Sequence, residues 1–179
     1  MGIDLEVSVG DWVRSYESGI WQVYRIQTYI GRDPVSGSER RRTTVFSKKF
    51  VTDSFKRSFK TDCCAPNFVE SLDRSTSKKL ADFIAKNEAL YQAFCEYEPK
   101  PIDIVYNARI KIPDGISVQD IETRLADCPP LRESKIDEFL RGAGFDTEGL
   151  PIWTVQFVSK EYETIDDYLV YRFLRVLGS

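Results

Sequence analysis

IDIVYNARIKI, residues 102–112, is the stretch on which the fold turns. Ile102, Ile104, Tyr106, Ala108, Ile110 and Ile112 recur at every second position. Between them, every residue except Val105 is polar. Strict alternation of this length predicts a strand with one face covered and one face wet. A sheet with one apolar face must be covered by another layer, so the neighbouring segments have to supply it.

The segments that follow do so. PDG (113–115) turns the chain. Ser117 is placed to cap a helix whose Val118, Ile121 and Leu125 form a stripe, and CPP (128–130) ends it. ESKIDEFLRGAG (133–144) reads as a short helix with Ile136, Phe139 and Leu140 inward and Gly142 or Gly144 at its C-cap. PIWTVQFVS (151–159) and YLVYRFLRVL (168–177) then close the chain as an antiparallel hairpin around KEYETIDD (160–167). The last run is apolar on both faces, which a helix would also show; its position after a strand favours a central strand. Residues 99–179 are therefore expected to form a β-α-α-β-β layer with helices on one face, in an α+β protein.

Upstream, DRSTSKKLADFIAKNEALYQAFCEY (73–97) reads as one helix, with Leu80, Phe83, Ile84, Tyr91 and Phe94 near one face and Ser75 or Ser77 as N-cap. The prolines of EPKP end it. Residues 73–98 are taken as a linking helix between an N-terminal domain, 1–72, and the C-terminal one. That first domain reads as short strands: DWVRSY (11–16), IWQVYRIQTYI (20–30), RTTVFSKKFV (42–51) and SFKRSFKT (54–61), with GRDPVSGSE (31–39) as a hairpin tip. VGDWVRSYESGIWQVYRI (9–26) resembles the opening of an SH3-like barrel of the KOW or Tudor kind. The resemblance implies that residues 8–62 form a compact barrel of about five strands. Trp12, Val23 and Ile26 are expected in its core.

Composition narrows the function classes. The chain has 179 residues, 42% hydrophobic and 30% charged, which is a globular balance. No apolar run approaches the roughly 18–20 residues that span a bilayer. The start, MGIDLEVSVGDW, has neither a basic nor an apolar leader region, so the expected compartment is a bacterial cytoplasm, with no membrane partner. There is no His. That removes Ser-His and Cys-His nucleophiles, His bases and His metal ligands together. Cys63, Cys64, Cys95 and Cys128 show no CxxC spacing and are expected to be reduced thiols, with no metal and no cofactor. Ser75–Lys78 fits S-x-x-K, but its K-T-G companion is missing and the site reads as a helix start. Gly142 and Gly144 lack the third Gly of a dinucleotide loop and read as a helix end.

What remains is charge. Residues 38–61 hold eight Lys/Arg against two acids, whereas the rest of the chain holds 17 against 26. Arg40, Arg41, Arg42, Lys48, Lys49, Lys56, Arg57 and Lys60 are expected to lie mostly on one solvent-facing side of the barrel, near Tyr16. Glu161, Glu163, Asp166 and Asp167 form an acidic loop. Both patches are candidate partner-binding sites. A basic face with aromatics nearby also suits nucleic acid. The pI of about 5.2 argues against long-range attraction of a polyanion. The expected function is non-enzymatic binding of a protein partner, in one concrete form an immunity-type inhibitor of a toxin. A nucleic-acid-associated module is the alternative.

Overall fold

The computed structural model describes residues 6–17, 19–50, 59–150 and 152–178. It is an α+β protein, and its chain divides into two compact units. The first comprises residues 1–28 and 42–100, the second residues 29–41 and 101–179. The tip of the long N-terminal hairpin thus groups with the C-terminal residues. Among the described residues, no helix is long and apolar enough to cross a membrane.

The first unit contains β1 (Trp12–Arg14), the proximal part of β2 (Ile20–Arg32), most of β3 (Glu39–Phe50), β4 (Phe59–Cys64) and β5 (Glu70–Ser71). Neighbours run in the order β4-β3-β2-β1-β5, so the fifth strand returns to pair with the first. A 3-10 turn at Pro66–Phe68 precedes that return. Val13, Trp21, Val23 and Val45 form the core, with Ile26 packed against it. Trp12 was expected in that core. The alternation of a strand instead turns it to the face opposite Val13, where it stacks on Phe94 at 5.5 Å. The expected single helix is two: α1 (Arg74–Lys86) and α2 (Glu88–Glu96). They break at Asn87, whose side-chain amide donates to the Phe83 carbonyl. Such local side-chain bonds compete with helix propagation. The cap of α1 is Asp73, which accepts from the Thr76 N–H at 2.8 Å, rather than Ser75 or Ser77.

The second unit contains β6 (Ile104–Lys111), α3 (Val118–Leu125), β7 (Leu131–Arg132), α4 (Ile136–Gly142), β8 (Ile152–Ser159), β9 (Thr164–Ile165) and β10 (Tyr168–Gly178). β8 pairs antiparallel with β6 on one side and β10 on the other. Tyr168 of β10 pairs in parallel with Ile30, so the sheet is mixed. Ala108 and Ile110, with Val155 and Phe157, face Ile121, Leu125, Ile136 and Leu140 of the helices. Ser117 and Asp120 form a reciprocal capping box on α3. α4 ends with Gly144 at φ +92°; its N–H reaches Arg141 and the Phe145 N–H reaches Leu140. Those two bonds make a Schellman motif, and its accompanying apolar contact carries Phe145 into the core.

Candidate functional site

The basic stretch does not form one wet face. Thr44 to Lys48 are five consecutive buried residues, so β3 is covered on both sides there. Lys48, expected at the surface, is only 7% exposed. Its Nζ donates to the carbonyl oxygens of Phe94 (2.8 Å) and Tyr97 (3.4 Å) and lies 4.5 Å from the centre of the Phe94 ring. It therefore caps the C-terminal end of α2, where unpaired carbonyls favour a cation. Burial pulls its pKa below the usual lysine value. Lys49 lies over the Trp21 ring at 4.5 Å. Lys60 pairs with Glu17 at 2.9 Å and titrates higher for it.

Arg40 and Arg41 belong to the second unit, beside Asp33 (3.8 Å) and Asp167 (3.9 Å) respectively. Arg42 is half-buried in the first. Lys56 and Arg57 lie outside the described residues. Tyr16 is exposed and edge-on to Phe68, and the nearby Asp62 carboxylate raises its phenol pKa.

The acidic loop resolves into separate local tasks. Asp166 and Asp167 both have positive φ, at 50° and 66°, and form the two-residue connection between β9 and β10. A tight hairpin turn of this hand demands positive φ at both positions, which Asp tolerates. Glu163 makes a two-pronged contact with Arg172, at 2.8 and 3.2 Å, which lowers its pKa. Glu161, also at positive φ, is anchored by its N–H to Asp103. Among the described residues, no three Cys, Asp or Glu side chains converge as metal ligands would. All four cysteines are free thiols, and burial raises the pKa of Cys64 and Cys128.

The feature that stands out in the first unit is a groove of about 470 Å³, which the sequence reading did not find. Trp12 and Val13 of β1 and Leu72, just after β5, line it on one side, and Leu80, Ala81 and Ile84 of α1 on the other. Ser71, Ser77 and Asp11 supply its polar edge. α1 is held in place at its start: the Arg14 guanidinium reaches Thr76 Oγ1 at 2.9 Å and Asp73 at 3.4 Å. Asp73 in turn accepts from Thr76, and these bonds hold its pKa down. The helix is amphipathic, yet not one of its 13 residues is buried. Phe83, on its flank, is 37% exposed. The 3.6-residue spacing of Leu80 and Ile84 was a visible signal for an apolar stripe. Its failure to find cover could not be read from spacing. Comparison of the chain with protein-family models, with curated proteins and with solved structures found no match in any of the three.

Proposed function

We propose that this chain is a non-enzymatic binding protein whose first unit docks an apolar segment of a protein partner in the α1 groove. One observation carries the reading: a 13-residue amphipathic helix with no buried residue stands beside half-buried Trp12 and Leu72 and leaves an apolar groove open. An uncovered apolar surface of this kind marks interaction sites on stable proteins. The length of α1, roughly 20 Å at 1.5 Å per residue, suits a helix or strand laid alongside it. The first unit is proposed to be an SH3-like barrel. The return of β5 to β1, after a 3-10 turn, supports that closure.

The test places a photo-crosslinking amino acid at Ala81, in the groove, or at Lys79, on the opposite side of α1. Both full-length variants are exposed to nuclease-treated extract of the source cells. A discrete protein adduct from position 81, absent from position 79 and lost on adding Ile84→Glu, is the expected result. Equal labelling from both positions, or adducts that vanish with nuclease, overturns the proposal.

A further inference from the structure

β6 ends the strand order of the second unit, so one of its edges has no strand beside it. Its pairing with β8 runs through eight residues without interruption, from Ile104 against Ser159 to Lys111 against Ile152. In an antiparallel ladder the N–H and C=O of one residue point to the same side, and successive residues alternate. The Lys111 N–H donates away from the sheet, to the Asp146 carbonyl at 2.7 Å. By that alternation, the main-chain groups of Val105, Asn107 and Arg109 also point outward. Among the described residues, none of these three has a backbone partner on that side. The segment contains neither proline nor bulge, and its charges, Arg109 and Lys111, lie toward one end.

We infer that this edge pairs antiparallel with β6 of a second copy of the chain, about a two-fold axis at Asn107. The pattern of the strand is self-complementary in that register. Asn107 meets its own counterpart as a hydrogen-bonded pair, and Val105 and Arg109 meet each other's counterparts in two further such pairs. On the wet face, Val105 stands opposite the second copy's Arg109; the Asp146 carbonyl already fills the position beside Lys111, so the pairing ends before that residue. On the covered face, Ile104 stands opposite Ile110 and Tyr106 opposite Ala108. No cation meets a cation, and no apolar core position meets a charge. A two-fold interface needs this kind of self-matching patch. The contact is small, so the dimer is weak and reversible.

Sedimentation of the full chain over a concentration series reads the association directly. Val105 is 47% exposed, so replacing it leaves the fold intact. Val105→Glu puts an acid opposite the second copy's Arg109, and Val105→Lys puts a cation there. Each substitution is met twice per dimer, so the dissociation constant should fall for Glu and rise for Lys, by roughly 2- to 30-fold each. The amides of Val105, Asn107 and Arg109 should gain hydrogen-exchange protection as concentration rises. A chain that stays monomeric up to about 1 mM, or a dimer whose constant moves the same way in both variants, overturns the inference.

Discussion

The two units of this protein carry helices of the same kind and treat them differently. In the second, Ile121, Leu125, Ile136 and Leu140 have no exposed surface at all. In the first, the equivalent stripe of α1, Leu80 and Ile84, is only half-buried, and Phe83 is more open still. Both stripes have helical spacing, and α1 and α3 are each capped at the N-terminus by a polar side chain. The difference is what lies opposite. β6 and β8 offer α3 and α4 a matched apolar face from register-paired residues. β1 and β5 together supply five residues to the first unit's sheet edge, too narrow a surface to cover four turns of helix. An amphipathic pattern thus states that a face needs cover, and leaves open whether the same chain supplies it.

The largest expected effect tests that contrast head-on. Phe145→Ala should cost about 3–5 kcal/mol, the range for an aromatic removed from a packed core. Ile84→Ala should cost less than about 1 kcal/mol, because its site is already partly wet. Urea denaturation of both variants measures this. Equal costs would mean that the α1 groove is filled and the contrast false.

Next in size is the anchor of α2. Lys48→Ala strips the donor from the Phe94 and Tyr97 carbonyls and should cost about 1–3 kcal/mol. A conventional surface lysine would cost a few tenths, within the ordinary range of about 0.5 kcal/mol. The same denaturation experiment distinguishes a lysine built into the first unit from one that merely decorates it.

The smallest effect concerns half-buried thiols, one in each unit. Burial raises the pKa of Cys64 and of Cys128, so each folded state favours the protonated thiol. That stability is fully present below the ordinary thiol pKa of about 8.5 and is lost as pH rises past it. Stability should therefore decline between about pH 8 and 10. Cys64→Ala and Cys128→Ala should each make the decline shallower by under about 1 kcal/mol, measured by urea midpoints across pH. A slope changed by only one of them would show which unit limits alkaline stability.

Much of the second unit was legible in advance. The alternation of residues 102–112, the Ser117 cap and the apolar stripes behind it are local patterns, and short-range sterics and hydrogen bonding decide them. The final strand was legible from its position after another strand; its doubly apolar character suits a helix equally well. Less was legible where a residue's role lies in a distant contact. Asn87 breaks the helix through one hydrogen bond to a carbonyl four residues back, and the run around it reads as uninterrupted helix. The four carboxylates of residues 161–167 read as one patch. The backbone instead assigns two of them to a turn and one to Arg172.

The sequence by itself determined the α+β class, the position of most strands and helices, and the absence of His chemistry. Each follows from composition or from the period of apolar residues, and neither depends on which surfaces later meet. Only the tertiary structure decided which polar residues are wet. Lys48 alternates along β3 like any exposed lysine, yet the C-terminal end of α2 packs over it and presents the Phe94 and Tyr97 carbonyls to its ammonium group. Only the tertiary structure, too, left α1 open and the edge of β6 unpaired. Burial depends on the area of the surface opposite and on the direction of main-chain groups in the assembled sheet, and no periodicity along one segment encodes either.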